Sequence, residues 1–345
     1  MQKLLLLLLF VATILSQGQF SGVTYFNYSY NLTENAENNK GFGLKRVYFT
    51  YEQRLSENLS YKFQTDVGQL DIIEIPTSGG WDNDTKTQKT QYVTYLKIAK
   101  VNWKSPLGQL IIGLQGMNVF NITEKTWGLR FLEKSPMDKY KFSSSADMGI
   151  GYIGKFNNLN YSIMFTNGSG YKSSENDKYK KISTQFVYGE KKLVKRDGFN
   201  IGSSFSIEPY DYEDDNNIIS TKNKTLIAFY GGYAANNFRI GAEFDIHTDD
   251  GTDITKQIIA GYMHYKLSDK INILGRLDIF DPWTESTDDL NTNNINEEKD
   301  SETNIIAGFN YIPTKGLTIT PNIRISIPED GYNTTLFMLN FEFKF

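Results

Sequence analysis

The chain ends Leu336-Phe337-Met338-Leu339-Asn340-Phe341-Glu342-Phe343-Lys344-Phe345, and the reading of this stretch decides the fold. Over its last seven residues apolar and polar side chains alternate without a break. Leu339, Phe341, Phe343 and Phe345 therefore share one face, and Asn340, Glu342 and Lys344 the other. A period of two means a β-strand, and aromatic residues running out to the terminal carboxylate exclude a frayed tail. A soluble protein must cover such a face with a second layer of structure. A bilayer covers it directly when the strand closes a barrel.

The other end of the chain agrees with export. Lys3 gives a basic start, Leu4 to Leu15 is apolar apart from Thr13, and Ser16-Gln17-Gly18 offers small residues where a signal peptidase cuts. This pattern predicts a signal peptide over residues 1–18, cleaved after Gly18, and is too short for a spanning helix. Cysteine is absent, so neither a lipid-anchored cysteine nor a disulfide framework is available. No later stretch approaches the roughly eighteen apolar residues that a membrane helix needs. The mean hydropathy is −0.43, yet the chain holds 23 Phe and 22 Tyr. A transmembrane barrel reconciles the two, because half of each strand faces water inside and aromatic residues collect at the two interfaces. The competing reading is a secreted soluble β-sandwich or β-helix.

Strand signals recur along residues 19–345 and predict one domain: an all-β, up-and-down antiparallel transmembrane β-barrel of about 16 strands. The first three run over Phe20–Leu32, Phe42–Leu55 and Leu59–Leu70. Short turns fall at Ser56-Glu57-Asn58, Ser105-Pro106, Asn157-Asn158, Asn236-Asn237, Ser268-Asp269 and Thr314-Lys315, with a looser one over Lys191–Asp197. Longer polar connections alternate with them, at Thr33–Lys40, Asp71–Lys89, Met117–Lys141, Ser169–Asp177, Pro209–Lys222, Thr248–Asp253 and Asp281–Glu302. Alternation of short and long connections is the meander pattern, with both termini in the periplasm and the long loops outside the cell.

Facing can be read strand by strand. Tyr61, Phe63, Thr65 and Val67 oppose Lys62, Gln64 and Asp66; Phe238, Ile240, Ala242, Phe244 and Ile246 oppose Arg239, Glu243 and Asp245. Ile271, Ile273, Leu277 and Ile279 oppose Arg276 and Asp278; Ile319, Ile323, Ile325 and Ile327 oppose Thr320, Asn322, Arg324 and Ser326. An Arg or Lys on the lipid face at the bilayer midplane costs roughly 2–4 kcal/mol, so the charged sets face the lumen. The predicted lumen wall is thus Arg46, Glu52, Arg54, Lys62, Asp66, Arg239, Glu243, Asp245, Arg276, Asp278, Arg324 and Glu342. Tyr92–Val101 and Thr225–Tyr233 are apolar on both faces and cannot be phased. Pro321 removes a ladder donor and suggests a bulge.

One connection differs from the rest. Met117–Lys141 carries Val119, Phe120, Trp127, Leu129, Phe131 and Leu132, which an outer loop would leave in water. Folding it into the lumen buries these groups and narrows the pore; a structured cap on the outer surface is the alternative. Its charged residues Glu124, Lys125, Arg130, Glu133, Lys134, Asp138 and Lys139 are then the candidate pore constriction. With Lys141 the cations exceed the acids, so a mild preference for small anions is expected, with Arg130 the leading single determinant.

The stretch Trp127-Gly128-Leu129-Arg130-Phe131-Leu132-Glu133-Lys134, followed by Ser143 to Gly149, resembles bacterial outer-membrane porins of the phosphate-selective group. Leu44-Lys45-Arg46-Val47-Tyr48 and Leu59-Ser60-Tyr61-Lys62-Phe63 are similar to the early hairpin of the same group. The resemblance implies a constricted passive diffusion pore, often a homotrimer, with phosphate selectivity left open because no dense ladder of lumen cations is legible. The ending resembles the C-terminal strand of outer-membrane barrels, which implies that Phe341, Phe343 and Phe345 serve as the signal read by the barrel-assembly machinery. The expected surroundings are outer-membrane lipid, lipopolysaccharide and small hydrophilic solutes, with no nucleic acid and no cofactor. His247 and His264 lie on separate strands without a matched nucleophile, which argues against an outer-membrane hydrolase. The acidic runs Asp211–Asp215 and Asp249–Asp253 lack the spacing of a calcium loop. A non-conducting barrel that serves as adhesin or anchor through its long loops is the second function class.

Overall fold

In hydrocarbon every backbone donor and acceptor must find a partner within the protein, and strands achieve this only by closing a ring. The computed structural model describes residues 18–34, 41–74, 87–175, 177–214, 216–282 and 301–345. Within them sixteen strands form one closed antiparallel barrel in which each strand pairs with its sequence neighbours and the first pairs with the last. Residues 1–17 of the predicted signal peptide, and most of the predicted connections Thr33–Lys40, Asp71–Lys89 and Asp281–Glu302, lie outside the described residues.

The first quarter is β1 (Gln19–Asn31), β2 (Gly41–Arg54), β3 (Leu59–Glu74) and β4 (Thr87–Ser105). Then come β5 (Gly108–Gly116), β6 (Ala146–Phe156), β7 (Leu159–Thr166) and β8 (Lys181–Gly189). They are followed by β9 (Gly198–Glu213), β10 (Ile219–Ala235), β11 (Phe238–Asp249) and β12 (Ile254–Lys266). The ring is completed by β13 (Ile271–Asp281), β14 (Glu302–Thr314), β15 (Leu317–Pro328) and β16 (Thr334–Lys344). Between β5 and β6 lie two short helices, α1 (Asn121–Trp127) and α2 (Pro136–Lys139). Gly128 ends α1 in the left-handed conformation at φ 73°, its N–H donating to Glu124 O at 2.8 Å.

Alternation sets the faces. On β13, Ile279 is 41% exposed and points outward to where lipid would lie, while its neighbour Asp278 is 1% exposed and points inward. The seam between the two ends of the chain is continuous from Val23↔Lys344 to Asn31↔Leu336. Phe26 stacks on its cross-strand partner Phe341 with ring centroids 4.8 Å apart. Gly22 and Phe345 exchange backbone hydrogen bonds of 3.2 and 3.1 Å. The Phe345 ring lies over Gly22, where a Cβ would meet it at 2.2 Å, so a larger residue there would push the exposed ring aside.

The structure explains where alternation fails. Pairing of β3 with β4 shifts between Gln64 and Thr65, whose partners are Ile98 and Leu96. Lys97 is the extra residue of a bulge, and both Lys97 and Ile98 are buried on the inner side. On β10, Leu226, Ala228 and Tyr230 face inward and are buried, because the chain between β5 and β6 covers them. Pro321 keeps register with Leu339 on β16; the shift on the β14 side falls between Tyr311 and Thr314, away from the proline. The predicted long connection Pro209–Lys222 is also corrected, since β9 and β10 continue pairing up to Glu213↔Ile219. The connection predicted as 117–141 extends to Ser145, the residue before β6.

Candidate functional site

The interior is divided by the segment that joins β5 to β6. Asn118 fixes its start: its side chain donates to Ser162 Oγ at 3.0 Å and accepts from Ser183 Oγ at 2.8 Å, while its carbonyl accepts from Gln185 Nε2 at 2.5 Å. Phe120 then packs with Met117, Leu226 and Ile258, and Ile122 packs with Val187 and Tyr230. Thr123 O accepts from Tyr262 Oη at 3.1 Å. Trp127 is fully buried, 5.6 Å from the Tyr262 ring and 5.2 Å from the His264 ring, with the Arg276 guanidinium 5.1 Å from its own. Its indole N–H donates to Glu133 O at 2.9 Å, folding the segment back on itself. Leu129, Phe131 and Leu132 fill the space beside Tyr25, Tyr48, Leu274 and Ile306.

The wall grips the segment by its carbonyls. Arg239 donates to Trp127 O at 3.3 Å, Asn340 to Phe131 O at 3.2 Å and Arg276 to Lys134 O at 2.6 Å. Arg324 donates to Leu132 O and pairs with Glu133 at 2.8 Å. Lys139 lies 3.9 Å from Glu302, and Tyr140 Oη accepts from Asn304 at 2.9 Å while its ring stacks 4.2 Å from Phe280. The Glu133 carboxyl is pushed up by burial, but Arg324, Arg276 and Lys139 together outweigh this and hold it below its usual range.

These contacts sort the predicted wall residues by what they do. Arg239, Arg276 and Arg324 are clamps on the segment rather than free charges facing water. Arg276 is also held by Asp278 through bonds of 2.8 and 2.6 Å. Glu243 and Asp245 face inward but are enclosed, next to each other on β11 and, for Glu243, beside Thr123 of the segment. Arg46 pairs with buried Asp66 at 3.0 Å, Lys62 with Glu52 at 2.6 Å, and Glu342 with Lys344 at 2.5 Å. Arg54 bonds Ser56 O at 3.2 Å and Glu57 O at 3.1 Å, closing the turn after β2.

The segment leaves the opposite side of the barrel open. A cavity of about 640 Å³ runs between it and the inner faces of β1 to β8. From the wall come Lys62, Lys97 and Lys100; from the segment, Glu124, Lys125 and Arg130; from the β8–β9 connection, Lys191 and Lys192. Seven of these eight charged groups are cations. Lys62 and Lys100 also line the opening at the short-turn end, a space of about 640 Å³ that includes Ser56, Glu57 and Asn58. Toward the other end Tyr25 and Arg130 are shared with a smaller space of about 210 Å³, lined by Lys45, Arg46, Lys134, Arg324 and Glu133.

Arg130 therefore stands between the two inner spaces, but its charge is matched. It pairs with Glu124, with Asp138 at 2.7 Å, and lies 3.4 Å from Tyr48 Oη. Lys134 is 3.9 Å from the same Asp138. Lys97 is likewise paired, with Asp66 at 3.3 Å, and its ammonium sits 5.1 Å from the Tyr48 ring and 5.0 Å from the Tyr171 ring. Lys100, Lys125, Lys191 and Lys192 have no carboxylate within 4 Å among the described residues.

Sequence reasoning did not place Lys97, Lys100, Lys191 or Lys192 in the interior. The bulge at Lys97 hides the first two within a strand that alternation cannot phase. Lys191 and Lys192 sit in a short-side connection, where the only signal was its unusual length.

No protein-family model matches the sequence, and no curated protein matches it. Solved structures do match. OprB of Pseudomonas putida superposes with a TM-score of 0.67 at 12% identity, over 97% of this chain and 96% of that one. An anion-selective porin from Comamonas acidovorans gives 0.65 at 12% identity, over 96% and 100%. Salmonella typhi OmpF, solved with daunomycin, gives 0.65 at 12% identity, over 96% and 98%. At such identities the likeness shows a shared fold, the sixteen-stranded barrel of bacterial outer-membrane porins.

Proposed function

We propose that the chain is an outer-membrane porin: a passive channel for small hydrophilic solutes and ions, with a preference for anions. The observation that carries this reading is the cavity beside the in-folded segment, which passes alongside β1 to β8 and is lined by seven cations and one acid. A sixteen-stranded barrel is wide enough to keep an aqueous lumen after one segment folds into it. An excess of one sign of charge in a narrow, low-dielectric passage concentrates counter-ions, and the field of remote acidic loops is screened beyond about 8 Å at physiological salt. Segment 117–145 acts as the constriction. Because Arg130 is neutralised by two carboxylates, the preference rests on Lys100, Lys125, Lys191 and Lys192 rather than on Arg130.

The anion-selective description of the Comamonas neighbour agrees with this reading. His264 is packed against Trp127 with centroids 5.2 Å apart, and His247 against Phe142 at 5.4 Å. The direct test is liposome swelling with purified protein and a graded series of neutral sugars. Uptake that falls with solute size supports an open, constricted pore. Liposomes no more permeable than empty ones would exclude it and favour a non-conducting anchor.

A further inference from the structure

The connection that leaves β7 turns inward at its start. Asn167 extends the ladder by one bond, donating to Met148 O at 2.9 Å. A single carboxylate then pins the next turn: Asp147, buried at the start of β6, accepts from Gly168 N at 2.6 Å and from Gly170 N at 3.2 Å. Both glycines have positive φ, 104° and 75°, a conformation that glycine adopts without steric cost. The turn lies against the end of the in-folded segment, where a Cβ on Gly170 would be 3.0 Å from Ser144 Cβ. It aims the next residue, Tyr171, past β5 and β6 toward the inner wall of β3 and β4, which stand beyond them in the ring.

There the Tyr171 hydroxyl donates to Asp66 Oδ2 at 3.0 Å, its ring meets Tyr95 edge-on at 6.2 Å, and the Lys97 ammonium lies 5.0 Å from its centroid. Lys172 adds to the contact, its ammonium 4.7 Å from the Tyr95 ring. Asp66 is fully buried, and the same oxygen takes Arg46 at 3.0 Å and Lys97 at 3.3 Å. Lys97 is thus held between two rings, because Tyr48 lies 5.1 Å from the same ammonium. Tyr48 is also where Arg130 of the in-folded segment meets the wall, and Tyr48 and Lys97 both line the cavity of about 640 Å³. Two connections therefore reach the same part of the wall: Arg130 comes to Tyr48 from the β5–β6 segment, and Tyr171 comes to Lys97 from the β7–β8 connection. Burial and Asp66 push the Tyr171 phenol above its ordinary value, so it keeps the proton that it donates.

We propose that Tyr171 is a movable wall of the neck and sets the size of solute that passes: docked on Asp66 and Lys97 it narrows the outer entrance to the cavity, and undocked it admits larger solutes. This rests on the porin reading for its role in transport, and adds to it a size filter operated from the outer side and separate from charge preference. Arg130 is tied by ion pairs to two carboxylates of its own segment, whereas Tyr171 is held by one hydroxyl bond and by ring contacts. The hydroxyl is the catch and the ring is the obstacle, so substitution can remove them one at a time.

Thiol labelling reads the docking without reference to conduction. Ser144 Oγ is covered, and Ser144→Cys places a thiol beneath the Gly170 turn. Tyr171→Phe keeps the ring and removes the catch, so labelling at Ser144→Cys should accelerate about tenfold or more, the weight of a hydrogen bond to a charged group. Labelling at Ser135→Cys, fully buried in the segment, should not change, which separates lifting of this connection from release of the segment. Tyr179→Phe removes another hydroxyl from the same connection, where it meets Asp211 and Thr221, and should leave both rates alone. In liposome swelling, the uptake of a disaccharide relative to a monosaccharide should rise with Tyr171→Phe and rise further with Tyr171→Ala, which removes the obstacle. Labelling at Ser144→Cys that Tyr171→Phe does not accelerate, or an uptake ratio that Tyr171→Ala does not raise, would overturn the proposal. Accelerated labelling in a protein whose liposomes admit no solute would leave the docking standing and refute the porin.

Discussion

Replacing Arg324 by methionine tests how the in-folded segment is held. In the wild type Arg324 pairs with Glu133 at 2.8 Å, bonds Leu132 O, and is steadied by Asn322 Oδ1 at 3.2 Å. Methionine keeps much of the side-chain volume but strands the Glu133 carboxylate. Breaking a fully buried pair costs about 3–5 kcal/mol, and an exposed one at most about 1 kcal/mol. Here the two side chains are 17% and 23% exposed, so roughly 2 kcal/mol is the working figure, about a thirtyfold rise in the released population. Arg276, Arg239 and Asn340 still hold the segment, so release is transient. The chain has no native cysteine, which makes Ser135→Cys a clean probe, because Ser135 is fully buried in the segment. Thiol labelling of Ser135→Cys should accelerate about thirtyfold when Arg324→Met is added. The pH dependence follows from the lowered pKa of Glu133. Its contribution is present above the unfolded value and is lost as pH falls through the lower folded value, so wild-type labelling should speed up on acidification below pH 4.5, the ordinary glutamate value. Arg324→Met should flatten that acid response. Labelling rates within twofold of each other would refute the clamp.

Two further outcomes are expected. Deleting Phe345, or replacing it with aspartate, removes the ring that covers Gly22 and, in the deletion, both backbone bonds at the seam; folded, heat-modifiable protein should disappear from the outer membrane, and an undiminished yield would show that this strand is not the assembly signal. Because Lys125 and Lys191 are pushed below the ordinary lysine value of 10.5, anion preference should decline on raising pH before pH 10.5 is reached. A preference that is flat up to pH 10.5 would count against lysine control.

The barrel was legible because lipid enforces a strict period of two wherever a strand crosses it, as in β16 and β13. The reading failed where another constraint replaced lipid or water. Inward residues of β10 are apolar because segment 117–145 covers them, so alternation vanished though the strand is regular. At Lys97 a bulge adds one residue and reverses the phase, hiding Lys97 and Lys100 from a reading based on alternation. The upper parts of β9 and β10 hold Asp211 and Glu213 on continuous ladders, and such polar residues read as loop. The charged residues of segment 117–145 were visible from its misplaced apolar content. Their pairing was not, since Arg130 meets Asp138 and Glu124 only through the fold of the segment, and Arg324 lies 191 positions from Glu133.

The central claim is that an unneutralised group of lysines beside the in-folded segment makes this barrel an anion-preferring channel. Reversal potentials in a KCl gradient across planar bilayers, with wild type compared with Lys100→Gln/Lys125→Gln, test it most directly. The account predicts a wild-type potential displaced toward the chloride equilibrium value and a displacement toward zero in the variant. A wild-type potential on the potassium side, or one unchanged by the loss of both lysines, would contradict it.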